Sequence, residues 1–347
     1  MGFEGFPLIV GWELTLACNL RCGHCGSTAG VPRAGELTTA EALSLCDQFP
    51  DLLVCEVDFT GGEPLVRSDW VQIAVRLGEL GIQTKLITNG VLLGPETVKL
   101  MRLAGLTRVG VSIDGLEATH DRIRGRPGLF RHIREGIDLL VAAGIPVSVV
   151  TTVTELNVHE LPELHAILGS AGVDVWQFQP LFPLGRAEVR GAWRLSESSY
   201  VRLGRFYAER SASEADFPPR ISPGDSFGYF TEYDLRAPPW AGCSAGLDVC
   251  GITSDGRVKG CLAMPDELAE GDLRERDLWD LWFDEDAFAY NRRFSVPDLG
   301  LTCTSCRHGE QCRGGCSSMS YACTGRMHSD PYCLHSILSR SPELALR

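Results

Sequence analysis

Apolar positions along the first 180 residues recur in two alternating rhythms. Short runs of β-branched and apolar residues have the length and composition of buried parallel strands: Leu8–Thr15, Val54–Thr60, Gln83–Thr88, Arg108–Ile113, Pro146–Thr152 and Asp174–Gln179. Between them lie stretches with helical spacing: Thr38–Gln48, Ser68–Leu80, Pro95–Leu103, Leu129–Ala143 and His159–Gly169. Thr38-Thr39-Ala40-Glu41 has the form of a capping box, and Pro95 stands at a helix start. Gly81, Gly105, Gly144 and Gly172 follow helices, where a left-handed cap favours glycine. Six β-α repeats of this kind predict an α/β fold with a parallel sheet and helices outside it. The periodicity does not separate a curled barrel from an open doubly wound sheet. In both, a ligand belongs at the C-terminal ends of the strands.

Beyond residue 185 the rhythm changes. Leu195–Arg210 reads as a helix, and Ser211–Ser226, rich in Pro, Ser, Gly and Asp, reads as loop. Cysteines then become dense. Leu247–Cys261 reads as two short strands around the Asp255-Gly256 turn, and Asp277–Arg292 as an amphipathic helix. The pattern divides the chain into 1–185, a bridge over 186–240, and a cysteine-rich unit over 241–347. The 347 residues are ample for more than one domain, and no apolar run is long enough to span a bilayer. The N-terminus lacks the basic segment and cleavage site of a signal peptide, which predicts a cytoplasmic protein. A net charge of −13 with no basic run argues against nucleic acid and anionic membrane as partners. In a reducing compartment, 14 cysteines point to metal ligation rather than disulfides.

The chemistry concentrates in Cys18-Asn-Leu-Arg-Cys22-Gly-His-Cys25, directly after the first strand. Three thiolates are one short of the four that close an iron–sulfur cluster, so one iron would be left open. A zinc site with His24 as fourth ligand is the competing reading; His24 abuts Cys25, which makes it awkward. The C-x3-C-x2-C spacing resembles the radical S-adenosylmethionine (SAM) superfamily. That resemblance implies a partial (β/α)6 barrel whose [4Fe–4S] cluster, held by Cys18, Cys22 and Cys25, is chelated by SAM at its open iron. One electron then splits SAM into methionine and a 5′-deoxyadenosyl radical. Gly61-Gly62-Glu63-Pro64, after the second strand, matches the family's motif for the SAM amino group. Glycines permit close backbone approach, and a carboxylate or carbonyl accepts from an ammonium. Thr88 and Asn89 end the third strand; Ser112 and Asp114 end the fourth. They resemble positions that reach the ribose or methionine of SAM. Among Arg122, Arg124 and Arg131, one could pair with the SAM carboxylate, Arg124 being the selected candidate. His24 occupies a site that is often aromatic in the family, which places its neighbourhood near the adenine. Gln177, Gln179 and Arg186, at the sixth strand, are candidates for lining the adenosine or substrate pocket, Gln179 foremost.

The C-terminal unit holds C-x2-C-x5-C-x3-C from Cys303 to Cys316, with Gly256-x4-Cys261 upstream. These elements resemble the SPASM domain, which binds two auxiliary [4Fe–4S] clusters. The resemblance implies Cys243, Cys250, Cys261 and Cys316 as ligands of the first and Cys303, Cys306, Cys312 and Cys333 of the second. Three cysteines are left over: Cys46 and Cys55 fit as buried apolar residues, and Cys323 is ambiguous.

SPASM proteins are mostly peptide and protein maturases. The expected function is therefore hydrogen abstraction from a ribosomally made precursor peptide, leading to cross-link, excision, epimerisation or oxidation. The first strand begins too early for a fused recognition domain, so either a separate leader-binding protein is expected or the barrel and bridge bind the peptide directly; a flavodoxin- or ferredoxin-like electron donor is the other expected partner. A sulfatase-type formylglycine maturase is disfavoured: Leu262 stands where that family has an aspartate base, and Asp255, Asp266 and Asp272 are displaced. A small-molecule radical SAM dehydrogenase or coenzyme-synthesis enzyme is the alternative.

Overall fold

The computed structural model describes residues 4–211, 218–224, 226, 227, 229 and 240–346. Of the stretch expected as loop, 212–217 and 225 lie outside these residues, as do 228 and 230–239 of the bridge. The strands and helices expected over the first 180 residues form, each within two residues of its sequence-derived limits. The strands are β1 (Ile9–Thr15), β2 (Glu56–Gly61), β3 (Gln83–Thr88), β4 (Arg108–Ser112), β5 (Val147–Val153) and β6 (Val175–Pro180). All six pair in parallel and in sequential order. Helices α1 (Thr39–Gln48), α2 (Trp70–Glu79), α3 (Pro95–Leu103), α4 (Glu117–Arg124), α5 (Leu129–Ala142) and α6 (Leu161–Ser170) connect them. Thr38 and Glu41 form the anticipated reciprocal capping box. The four cap glycines have φ between 71° and 76°. The strand order is linear, so the curled wall is a partial (β/α)6 barrel.

The strands are not uniformly apolar, and this departs from the expectation for buried parallel strands. Residues facing the helices are fully buried and apolar: Val10, Trp12, Leu14, Val57, Phe59, Leu86, Val109, Val111, Trp176 and Phe178. Each such side chain contributes about 1.5–3 kcal/mol by leaving water. Trp12 packs edge-on against Phe49 and Phe59, with centroids 6.0 Å away in both cases. The alternate residues face the barrel lumen and are mostly polar: Asp58, Lys85, Ser148 and Gln177 among them. Strand alternation sorts the two sets.

Four elements differ from the sequence reading. The segment holding Arg122 and Arg124, for which the sequence predicts no element, is the helix α4, closed by Gly125 at φ 69°. It has no apolar stripe: its buried residues are His120, Ile123 and Arg124. Part of the expected loop 211–226 is a strand, β7 (Arg220–Pro223), parallel to β6. The helix α7 (Glu197–Ser211) precedes it, as expected. Asp277–Arg292 is not one helix but two short ones, Leu278–Trp282 and Ala289–Arg292. The break falls at the acidic run 284–286, where Asp284 accepts from the Asp286 amide at 2.9 Å and pairs with Arg276 at 2.7 Å. Finally, Cys55 is exposed, with its thiol 3.1 Å from the Leu8 carbonyl, whereas Cys46 is buried as expected.

The anticipated hairpin forms as β8 (Val249–Ile252) and β9 (Arg257–Lys259), with β10 (Gly271–Asp272) beyond it. Strand β8 pairs in parallel with β1, so one sheet of order β10-β9-β8-β1-β2-β3-β4-β5-β6-β7 runs from the cysteine-rich unit through the barrel. No described helix is long and apolar enough to cross a membrane.

Candidate active site

Cys18, Cys22 and Cys25 lie in the loop that leaves β1 at the C-terminal end of the barrel. The loop is held on every side. From β2, the Gly62 amide donates to the Thr15 carbonyl (2.8 Å) and the Glu63 amide to Ala17 (2.9 Å). The glycine pair is required by this approach: a Cβ on Gly62 would lie 2.2 Å from the Ala17 oxygen, and one on Gly61, at φ 127°, 2.4 Å from the Thr15 oxygen. The two glycines thus seat the cysteine loop itself, rather than only opening space for a ligand. From the sixth strand's exit, Arg186 donates to the carbonyls of Cys22 and Ala29, both at 2.8 Å, and its amide to that of Cys25 at 2.9 Å. Arg186 is therefore a clamp on the loop. From within the loop, Glu36 accepts from the Leu16 amide (2.8 Å) and the Thr15 hydroxyl (2.9 Å). The sequence around Glu36 carries no mark of this role.

The donor set suits thiolate ligation. The Leu20 amide points at Cys18 Sγ (3.4 Å), Asn89 Nδ2 lies 3.6 Å from the same sulfur, and Arg124 Nη1 lies 3.9 Å from Cys22 Sγ. Burial pushes the Cys18 and Cys22 thiols up, and at Cys22 the Arg124 guanidinium opposes it. Among the described residues, no three His, Cys, Asp or Glu groups converge as ligands of a single ion. A cubane cluster asks for more widely set thiolates than zinc does.

The proposed SAM residues divide into two kinds. Glu63 is fully buried, and its two oxygens accept from Thr88 Oγ1 (2.8 Å) and the amides of Asn89 (2.7 Å) and Leu65 (3.2 Å). Burial nonetheless pushes its carboxyl up to about 7. Pro64 opens the short turn that brings Leu65 round. Asp114, also fully buried, accepts from Arg124 Nε (2.6 Å) and the Thr152 amide (2.9 Å), and His24 Nε2 lies 3.1 Å away. Burial alone would raise the Asp114 carboxyl; Arg124 and His24 outweigh it and hold it far below the usual carboxylate range. Glu63, Thr88, Asp114 and Arg124 are thus bonded to one another's surroundings and shape the end of the barrel. Ser112 and Gln179, by contrast, end their strands on the lumen side, and Asn89 reaches the cysteine loop through Asn19 (2.7 Å). Of the three arginines considered, only Arg124 is buried; Arg122 is exposed and Arg131 pairs with Glu117 at the surface. His24 is turned into Asp114, not offered as an aromatic platform, and its Nδ1 is buried without a partner. Gln177 lies lower, in a cavity at the other end of the barrel.

The C-terminal cysteines form two groups. Cys303, Cys306, Cys312 and Cys333 line one cavity of about 560 Å³, with Tyr229 and Asp330. Burial pushes the Cys303 thiol up to about 11 and those of Cys312 and Cys333 up to about 12, so a bound cation is what would make them thiolates. Cys316 is buried, which pushes its thiol up, and Cys243, Asp330 and Cys261 are close enough to raise it further. Cys250, the fourth expected member of this group, lies on β8 in register with Val10, and its neighbour Gly251 faces the Cys261 backbone. Burial pushes the Tyr290 hydroxyl up, and Cys243, Cys261 and Cys250 all lie near enough to raise it further. Cys323 packs beside Met319, with the sulfurs 3.7 Å apart. Leu262 lies against Gly11 of β1. Asp266 is engaged by Arg33, Arg257 and Lys259, and Asp255 by Thr253 and Arg257, so neither substitutes for the missing aspartate.

Comparison with known proteins bears on this arrangement. Residues 12–167 match the Radical SAM superfamily model. The AdoMet-dependent heme synthase of Methanosarcina barkeri is 33% identical, over 95% of this chain and 97% of its own. The mycofactocin maturase MftC of Mycolicibacterium smegmatis is 30% identical, over 91% of this chain and 79% of its own. Among solved structures, Streptococcus suis SuiB bound to its precursor peptide SuiA superimposes with a TM-score of 0.72 at 20% identity, covering 91% of this chain and 73% of SuiB.

Proposed function

The chain belongs to the radical SAM superfamily and carries the SPASM type of C-terminal extension; from that premise we propose that it removes hydrogen from a carbon of a heme precursor. The observation that carries this reading is the identity to an AdoMet-dependent heme synthase over nearly the full length of both chains. A precursor peptide, the expectation from sequence, is the second reading, favoured by the identity to MftC.

In this proposal Cys18, Cys22 and Cys25 hold the cluster, and SAM lies across the strand ends between Gly61–Pro64, Asn89, Ser112 and Gln179. Bound together, cluster and SAM supply a 5′-deoxyadenosyl radical able to take hydrogen from an unactivated C–H bond. Glu63 fixes the turn after β3 by drawing Thr88 and Asn89 onto its carboxylate. Asp114 fixes α4 and His24 against the cysteine loop. Arg124 places a positive charge beside Cys22. Arg186 and Glu36 keep the loop from moving as its ligands load. Cys303, Cys306, Cys312 and Cys333 would hold one auxiliary cluster, and Cys243, Cys250, Cys261 and Cys316 another. A flavodoxin- or ferredoxin-like protein of the cytoplasm would supply electrons.

The test is anaerobic reconstitution with iron, sulfide, SAM and dithionite, followed by addition of carboxylated iron porphyrins or of short peptides encoded beside the gene. Faster 5′-deoxyadenosine release with a porphyrin, and a matching mass loss in it, are expected. Release stimulated only by a peptide would replace the heme reading with the second one. No release under any condition would overturn both.

A further inference from the structure

The end of the barrel opposite the cysteine loop is not closed. A cavity of about 420 Å³ opens there, lined by the first residues of β2 to β7. Barrels of this family of folds usually fill their interiors with branched apolar side chains. Here Ile87, Val150 and Val175 are outnumbered by polar lining residues, Asp58, Lys85, Arg108, Ser148, Gln177 and Arg220 among them, and Gly110 contributes no side chain at all. Asp58, Lys85 and Arg108 stand in one row: Asp58 is in register with Lys85, and Lys85 with Arg108. Adjacent strands are about 4.8 Å apart, which sets the outer two roughly 10 Å from each other. Lys85 is already taken by Glu56. The other two are only partly engaged. Asp58 Oδ1 and Arg108 Nη1 are buried atoms of half-buried side chains and have no hydrogen-bond partner, and Arg108 Nη1 has only a loose ion pair with the exposed Asp174, at 3.6 Å. Buried polar groups are nearly always paired, so two orphans of opposite kind facing one cavity mark a place built for a third party.

We propose that this mouth of the barrel binds a carboxylate of the substrate, with Arg108 as its anchor and Asp58 and Lys85 completing the row. It rests on the reading of the chain as a radical SAM enzyme acting on a molecule that enters the barrel. A guanidinium offers a carboxylate two parallel donors. Asp58 is compatible with such a guest. Burial, with Glu56 adding to it, pushes its carboxyl up to about 6, and Lys85 opposes only in part. An anion arriving beside it favours the protonated acid further, which then donates a hydrogen bond. The substrate's reacting carbon would face the strand ends that carry the cysteine loop, and its charged end would rest at the opposite mouth. Both heme precursors and acidic peptides offer that chemistry.

The experiment compares charged and neutral partners on the reconstituted full chain. Protoporphyrin IX and its dimethyl ester are titrated by porphyrin fluorescence anisotropy. A dye-labelled glutamate-rich peptide and its glutamine counterpart are titrated in the same way. We expect the charged member of one pair to bind about tenfold more tightly, the scale of one charge-assisted contact. Arg108→Gln should reduce that preference to less than about twofold, while Arg108→Lys keeps part of it. Circular dichroism and iron content check the fold of each variant. If Arg108→Gln does not fold, the native protein still decides: bound ligand should shield Arg108 from phenylglyoxal, read by peptide mass mapping. A preference seen only with the peptide upholds the anchor and removes the heme reading. No preference in either pair, a preference that survives Arg108→Gln, or a bound ligand that leaves Arg108 reactive overturns the proposal.

Discussion

The two ends of the barrel treat buried charge in opposite ways. At the cysteine end, Glu63 takes three hydrogen bonds and Asp114 is enclosed by Arg124, His24 and the Thr152 amide. The carboxylates there are spent on holding backbone and neighbouring side chains, and the atoms left for chemistry are sulfurs. At the opposite mouth the charged groups are spread along a row, and two of their atoms have no hydrogen-bond partner. One end is rigid before anything binds. The other keeps polar groups unsatisfied at some cost in stability, which only a ligand recovers. Substitutions at the first end should therefore destroy the site or destabilise the chain, and substitutions at the second can do the reverse.

The largest effect is expected at the sulfurs. Cys22→Ala should reduce SAM-dependent 5′-deoxyadenosine release to background. It should leave the iron of the C-terminal cysteines in place, roughly eight atoms per chain if both groups carry a four-iron cluster. Iron analysis and chromatography of the nucleoside check this; near-complete loss of iron would mean that the two regions load as one unit. Next comes the seat of the loop. Gly62→Ala puts a Cβ 2.2 Å from the Ala17 oxygen and 2.6 Å from that of Leu16, both backbone atoms that cannot swing aside. A loss of about 3 kcal/mol in urea unfolding is expected, together with poor iron loading in the barrel. Wild-type stability in this variant would show that the loop is free to move, and the contrast between the ends would fail.

Much of the rigid end was legible in the sequence, and the reason is that it is local. Cys18, Cys22 and Cys25 sit within one loop, and Gly61–Pro64 within one turn, so spacing alone announces them. Strand limits were equally readable, because a run such as Gln83–Thr88 is bounded by its own glycine and turn residues. What escaped depends on partners distant in the chain. Arg186 clamps carbonyls more than 150 residues away, and nothing near it says so. The polar alternation within Glu56–Gly61 and Gln83–Thr88 was present in the residues, but a strand's own pattern does not reveal whether its second face meets a core or a lumen. Helix α4 was passed over because its buried face is His120, Ile123 and Arg124, a polar set that no hydrophobic rhythm signals.

Helix α4 supplies the third test. Arg124→Gln removes the cation that encloses Asp114 and lies 3.9 Å from Cys22 Sγ. Breaking a buried pair by removing one partner should cost about 3 kcal/mol. The reconstituted cluster should also become harder to reduce, because a nearby positive charge favours the more negative, reduced state. An EPR-monitored redox titration separates this from a purely structural role: a destabilised protein with an unchanged midpoint would show that Arg124 acts on Asp114 alone.

The smallest effect is expected at the mouth, and its sign is the point. Burial pushes the Asp58 carboxyl up to about 6, against an ordinary value of 3.8. Between those two values the folded chain holds a proton that the unfolded chain has released. Stability from this group is therefore fully present below about pH 4 and declines as pH rises through 6. Asp58→Asn has no proton to lose and should escape that decline. Two pKa units correspond to almost 3 kcal/mol, but solvent reaching the open lumen screens part of it, leaving about 1–2 kcal/mol. The variant should thus match the wild type near pH 4 and exceed it in urea unfolding at pH 8. An Asp58→Asn protein that is less stable at pH 8 would mean that the carboxylate already has a partner within the fold, and the two ends of the barrel would then differ in nothing but their cysteines.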